Sequence, residues 1–232
     1  MNRKTLAAAF KVTIPVLMGY LSVGVAFGLM LEAVGYNFIW SAIMSISIFA
    51  GSMQYVGVSL IATAAVLTEV AFMTLMINFR HIVYGLSMLD KFRGMGKAKL
   101  YMIFSLTDET YALLSSAQAP EGVSQKKFYL AIATLNHLYW IIGSVIGSIF
   151  GSILTLNIAG VDFAMTALFV VICVDQWRSG TKHAPAIIGA ASAVVFLLIA
   201  GSQSFLLPAL VAIVILLLAF RRQLDDNGEE AQ

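Results

Sequence analysis

The sequence predicts an all-α integral membrane protein of about seven transmembrane helices, six to eight in all, with a faint inverted internal repeat. Three observations carry that prediction. Of the 232 residues, 60% are apolar and only 11% charged, against roughly 25% charged in an ordinary soluble protein. Mean hydropathy is +0.90. The apolar residues also fall into runs long enough to cross a bilayer, which takes about 20 residues of helix with every backbone group satisfied internally. With 14 Lys+Arg and 12 Asp+Glu, the chain has too few charges to coat a soluble fold. Composition therefore excludes a soluble enzyme, a nucleic-acid binder and a disordered chain.

In order, the runs are Val12 to Val34, Phe38 to Ala62, Ala64 to Leu89, Phe128 to Leu154, Leu156 to Trp177, Ala184 to Ala200 and Ser204 to Phe220. A weaker stretch, Leu100 to Ala117, carries Thr107-Asp108-Glu109 in its middle, and is expected to be re-entrant or interfacial. Pro15 and Pro208 are expected to kink the first and last spans. The organisation is one transmembrane domain over 1–220. Its halves, 12–89 and 128–220, are joined by 90–127 and followed by a polar cytoplasmic tail at 221–232. The start of the chain lacks an apolar core with a cleavage site, since Lys11 interrupts it, so no signal peptide is expected.

Cations in short loops gather on the cytoplasmic side. With eight spans and the N-terminus inside, nine loop cations lie inside and Lys91, Arg93, Lys97 and Lys99 are stranded outside. With 100–117 not crossing and the N-terminus outside, ten lie inside and only Arg3, Lys4 and Lys11 remain outside. The second arrangement is preferred, with the C-terminus inside. It also frees Asp108 and Glu109 from a lipid-facing helix.

Gly24 and Gly28 match Gly147 and Gly151 at an offset of 123, and Gly35-Tyr-Asn-Phe38 resembles Gly160-Val-Asp-Phe163. With 100–117 not crossing, the halves so defined would enter the membrane from opposite sides, a common plan of secondary transporters.

Polar groups at membrane depth face a cavity or a partner. In Asn78-Phe-Arg80-His81 with Tyr84, the arginine lies about 15 Å along a helix from the basic loop at 1.5 Å per residue. Either Arg80 grips a carboxylate bidentately and His81 titrates near neutrality, or Arg80 pairs with a structural acid. Asp108 and Glu109, adjacent in apolar surroundings, either carry protons or sit at a helix N-terminus. A link between Arg80 and Asp108 would join the two motifs, as a substrate-sensitive ion pair or a structural one. Ala50-Gly51-Ser52-Met53-Gln54, echoed by Ala200-Gly-Ser-Gln203, marks either close helix packing or a break whose freed backbone binds a substrate. Gly24, Gly28, Gly143, Gly147 and Gly151 are assigned to packing. Asn136 and His137 lie deep, His137 in a proton path or satisfied by a neighbouring helix. Asp162 and Asp175-Gln176 are expected at the interface.

Together and in this order, Pro15, Gly19-Tyr20, Gly24, Phe27-Gly28, Phe49-Ala-Gly-Ser-Met-Gln54, Asn78-Phe-Arg-His81 with Tyr84-Gly85, and Thr107-Asp-Glu109 resemble the AzlC-type branched-chain amino-acid permease family. The likeness covers nearly the whole chain and continues through Asp162-Phe163, Thr166-Ala-Leu-Phe169 and Asp175-Gln176. It implies the larger subunit of a two-component, proton-driven exporter of leucine, isoleucine and valine, sometimes methionine, in the cytoplasmic (inner) membrane. The implied partner is a small hydrophobic AzlD-type subunit. Two departures stand out: Gly19-Tyr20-Leu21-Ser22 lacks the proline expected after tyrosine, and Asn78 replaces an aspartate, removing a titratable group.

A zwitterionic aliphatic substrate needs a cation or N–H groups, an anion or carbonyls, and an apolar wall. Arg80, Asn78, Ser52, Gln54, Asp108, Glu109 and Tyr84 are the expected substrate-binding residues, walled by Phe72, Met73, Met76 and Phe104. His81, Asp108, Glu109 and His137 are the expected proton carriers. One cysteine (Cys173) and three scattered histidines (His81, His137, His183) offer no metal set or cofactor motif. No GxSxG or HExxH sequence points to an intramembrane enzyme. The rivals are a non-transporting scaffold or assembly subunit and an exporter of another small zwitterion.

Overall fold

A computed structural model describes residues 2–153, 183–201 and 205–220, with 170, 174, 177 and 178 singly. Every regular element among them is helical. The chain forms two compact units, Met1–Thr166 and Ala167–Gln232.

In the first unit, α1 (Arg3–Ala33) runs without interruption through Pro15. It ends where Gly35 takes φ +90° and the Tyr36 N–H closes back onto the Leu31 carbonyl at 3.1 Å, the usual glycine exit from a helix. The Asn37 side chain accepts from the Ile39 N–H at 3.1 Å and starts α2 (Phe38–Ser47). The helix breaks at 48–50 and resumes as α3 (Gly51–Ala62). α4 spans Leu67–Ser87, α5 Ala98–Phe104, α6 Asp108–Ser116 and α7 Gln125–Ile153. Three of these, α1, α4 and α7, are long and apolar enough to cross a membrane.

α1 and α7 lie side by side and parallel. Thr13 meets Tyr139, a Cβ on Gly24 would lie 3.0 Å from the Ser144 backbone, and one on Gly147 would lie 2.0 Å from the Val25 carbonyl. Small residues thus let the two backbones touch, as their assignment to packing anticipated. The parallel run corrects the expectation that the halves offset by 123 enter from opposite sides.

That correction traces to 38–62, which is not a single span. Along α2, Ser41 and Ser45 bond Ser144, and the Ser45 carbonyl accepts from His137, so α2 runs against α7 as far as its middle. Along α3 the path reverses: Gly51 and Gln54 meet Trp140, while Tyr55 bonds the Val23 carbonyl and packs edge-on to Phe27. α2 and α3 therefore form a hairpin that turns back half-way. At its tip Phe49 adopts φ +42°, unusual for a bulky side chain. Its ring stacks on His137 at 4.2 Å and meets Tyr20 edge-on.

The 98–116 segment is the counterpart from the other end. Tyr101 bonds His137, Thr107 bonds Tyr20, and the path returns with Lys91 donating to the Leu114 and Ser115 carbonyls. Met102, Leu114, Phe92 and Phe128 share one core cluster with Ala9, close to the start of α1. This stretch enters and leaves at one end, as the sequence led us to expect. α4 links the two ends: it follows the outward limb of the first hairpin, and its later turns run beside α6, Arg80 and Tyr84 by Asp108 and Ser87 by Tyr111. The inversion is thus between α1–α3 and α4–α6, each a long helix followed by a half-depth hairpin.

The second unit contains α8 (Ala184–Ala200), opened by Pro185 in its first turn, and α9 (Leu206–Ala219), which packs on it. Pro208 is the third residue of α9. There no intrahelical N–H is required, so it begins the helix and does not kink it. Most of the expected 156–177 span, with Asp162, Cys173 and Asp175-Gln176, and also Ser202-Gln203 and the 221–232 tail, lie outside the described residues.

Candidate functional site

Each hairpin break leaves the N-terminus of a half-helix near the middle of the unit. α3 begins at Gly51 with no side-chain cap, while α6 begins with the Thr107 hydroxyl accepting from the Thr110 N–H at 3.2 Å. Helix N-termini carry roughly half a positive charge and favour anions. Asp108 and Glu109 occupy the first turn of α6, which answers part of their cost at this depth.

Arg80, projecting from α4, joins both tips. Its guanidinium donates to the Asp108 carboxylate at 2.5 Å and to the Ser52 hydroxyl at 3.0 Å. The second Asp108 oxygen accepts from the Tyr84 hydroxyl at 2.8 Å. The ion pair is part-exposed, at 30% and 38% for the two side chains. Arg80 Nε and Asn78 Oδ1 are buried without a hydrogen-bond partner among the described residues.

Glu109 faces the other way, onto α1. It accepts from the Tyr20 hydroxyl at 2.7 Å, Tyr20 is 2.5 Å from the Thr107 hydroxyl, and Thr107 donates to Thr110 at 3.0 Å. Asn136 on α7 closes the chain, donating to Thr110 at 3.0 Å. The two neighbouring carboxylates thus have separate partners, one cationic and one phenolic.

Residues 15–154 match the AzlC protein family. A 43% identical relative, "Branched-chain amino acid transport protein AzlC" of Bacillus subtilis strain 168, aligns over 94% of this chain and 86% of its own length. The chain belongs to the AzlC family. An uncharacterized membrane protein of Helicobacter pylori (strain 26695) is 42% identical over 96% of this chain and 97% of its own. "Inner membrane protein YgaZ" of Escherichia coli K12 is 28% identical over 69% and 68%. No solved structure matches. Family and helices together make this an all-helical membrane protein.

Within this AzlC chain, four of the expected substrate-binding residues come together: Arg80, Ser52, Asp108 and Tyr84. Asn78 lies two residues before Arg80, on a different face of the same helix. Gln54 does not join them. It is 1% exposed, accepts from the Trp140 indole at 2.9 Å and donates to Ser45 at 3.4 Å, so it fastens the first hairpin to α7. His81 bonds its own helix, at the Asn78 carbonyl, and meets Tyr84 edge-on. His137, 8% exposed, is held between the Tyr101 hydroxyl at 3.2 Å and the Ser45 carbonyl at 3.1 Å. Of the expected apolar wall, Phe104 packs on Phe49 and His137, whereas Met73 is buried.

Tyr20 and Ser45 are the residues that sequence reasoning passed over. Tyr20 was visible only as half of Gly19-Tyr20. Ser41 and Ser45 are spaced i,i+4 on α2, a polar stripe on a mostly apolar helix that faces Ser144.

Proposed function

We propose that this protein is the larger subunit of a branched-chain amino-acid exporter of the cytoplasmic membrane, taking leucine, isoleucine and valine, with methionine as a further substrate. The observation that carries the reading is the Arg80–Asp108 pair bridging two half-helix tips at 2.5 Å. A zwitterion has the charges to replace that pair: its carboxylate takes Arg80, Ser52 and the first turn of α3, and its ammonium takes Asp108 or the outer oxygen of Glu109. Half-helix N-termini meeting an anionic substrate group near the midplane are a recurrent transporter device. The aliphatic side chain then lies toward Phe49 and Phe104. The printed name of the Bacillus subtilis relative supports the substrate class.

Glu109 is the proton carrier in this reading, with Tyr20 and Thr107 as its hydroxyl partners, and a small hydrophobic AzlD-type subunit completes the transporter. Glu109 takes up a proton from outside while substrate leaves, and releases it inside. His81 and His137 are left to other duties, because neither bonds a carboxylate among the described residues. The test is counterflow of labelled leucine in proteoliposomes, with this chain alone and with its partner. Arg80→Ala at normal membrane level is expected to abolish counterflow in the competent preparation. Unchanged counterflow, or unchanged resistance of cells to excess leucine and valine, would falsify the site.

A further inference from the structure

Reversal of 38–62 redistributes the charges of the first unit. Residues 1–153 contain ten Lys and Arg, and Arg80 is the one held at mid-depth by Asp108. The other nine gather at the end where α1 and α7 begin. Arg3, Lys4 and Lys11 belong to the start of α1, and Lys126 and Lys127 to the start of α7. Lys91, Arg93, Lys97 and Lys99 belong to the connection from α4 into α5.

The fold pins these segments to one level. Lys126 donates to the Gly94 carbonyl at 3.2 Å, Lys91 caps the end of α6, and Ala9, Phe92 and Phe128 share a core cluster. The connections at the opposite end, 34–37 and 63–66, contain no Lys or Arg, and the acids nearest them are Glu32 and Glu69. A straight-through 38–62 segment would put α1 and the basic loop on opposite faces. The hairpin puts all nine cations on one face.

We infer that this basic end rests on the anionic inner leaflet, with the N-terminus in the cytoplasm. It follows that hairpin α2–α3 dips in from outside and hairpin α5–α6 from inside. The physical ground is the retention of short-loop cations on the cytoplasmic side, reinforced by about 1 kcal/mol per Lys or Arg near an anionic surface. Over the same residues an external N-terminus with a straight-through 38–62 leaves six against three, so nine against none is the larger bias.

The test is cysteine accessibility in the full-length chain, in a Cys173→Ala background. Right-side-out and inside-out membrane vesicles are treated with a membrane-impermeant maleimide, and total cysteine is read after denaturation. Tyr36→Cys and Thr63→Cys are expected to label in right-side-out vesicles only. Asp90→Cys and Ser124→Cys are expected to label in inside-out vesicles only. Val66→Cys and Gln118→Cys substitute for any variant that fails to accumulate. Labelling of Asp90→Cys and Ser124→Cys from outside overturns the orientation. Labelling of Tyr36→Cys and Thr63→Cys from opposite faces overturns the hairpin itself. Neither readout measures transport, so failure here is distinct from failure of the substrate reading.

Discussion

Tyr20 on α1 and Glu109 on α6, 89 residues apart, are joined by a 2.7 Å hydrogen bond that ties the second hairpin's tip to the long helix pair. Tyr20→Phe removes that bond and the Thr107 contact while keeping the ring against Trp140 and Phe49. Hydrogen bonds between membrane helices average about 0.6 kcal/mol, so the folded protein should survive with a small drop in thermal stability. Proton-driven leucine transport is expected to fall by about tenfold, equivalent to about 1.4 kcal/mol, and counterflow without a proton gradient should fall less. Equal loss in both assays would assign Tyr20 to packing alone.

Arg80 serves Asp108 and Ser52 through two different nitrogens. Lysine offers one ammonium and no fork, so Arg80→Lys should keep the chain folded and lose most of its transport. In a double-mutant cycle, Arg80→Ala with Asp108→Ala should be less destabilised than the sum of the single variants, because each single change strands one charge. The part-exposed setting limits the coupling to about 1 kcal/mol. Additive unfolding temperatures in detergent would mean that the two side chains do not depend on each other.

Glycine contacts separate the helix pair from its surroundings. A Cβ at Gly28 would stand 2.0 Å from the Ser144 carbonyl, whereas one at Gly19 meets nothing within 4 Å. Gly28→Ala must push the helices apart, at about 1–3 kcal/mol or more, and should reduce the monodisperse fraction after extraction. Gly19→Ala should be neutral or stabilising by up to about 1 kcal/mol from helix propensity. Size-exclusion profiles of the two variants check the contrast.

The two deep histidines should part company. His137→Ala removes the stacking surface of Phe49 and two hydrogen bonds, so it is expected to lower thermal stability by about 1–3 kcal/mol. His81→Ala removes only a bond within its own helix and an edge contact, and should stay within about 0.5 kcal/mol of the parent. Thermal unfolding of the purified variants reads both.

Lys91 donates to two carbonyls at the end of α6, at 2.9 and 2.8 Å. Lys91→Met removes a cation from a helix C-terminus, which is worth about 0.3–1 kcal/mol. A modest loss of stability, partly restored by Lys91→Arg, is the expected outcome of the same thermal measurement.

Depth anomalies made much of the site legible. Arg80 and Asp108 stood out because charge is costly below the headgroups, and the alternative of a direct link between them is the one the fold realises. The acids in 100–117 likewise marked a segment that is two short helices and not one span-length helix. At 48–50 a break is one of the two readings of the adjoining Ala50-Gly51-Ser52, but nothing there shows that the chain reverses, since Ile46 to Ala50 is apolar but for Ser47. What turns the chain there is tertiary: Phe49 is held on His137, and Ser45 on Ser144. Gln54, polar and deep, reads as a substrate ligand but bonds Trp140 and Ser45. Of the two readings of His137, a proton path or satisfaction by a neighbouring helix, its bonds to Tyr101 and Ser45 fit the second. Hydropathy reports which segments avoid water and is silent on whether they return.

The glycine seam between α1 and α7 has a mechanical consequence. With backbone set directly against backbone at Gly24, Gly28, Gly143 and Gly147, no compliant layer of side chains remains between the two rods to shear or re-pack. They behave as a single stiff mast. Travel within the first unit is therefore left to the short arms hinged on it, each moored at its end by a few rings and hydroxyls.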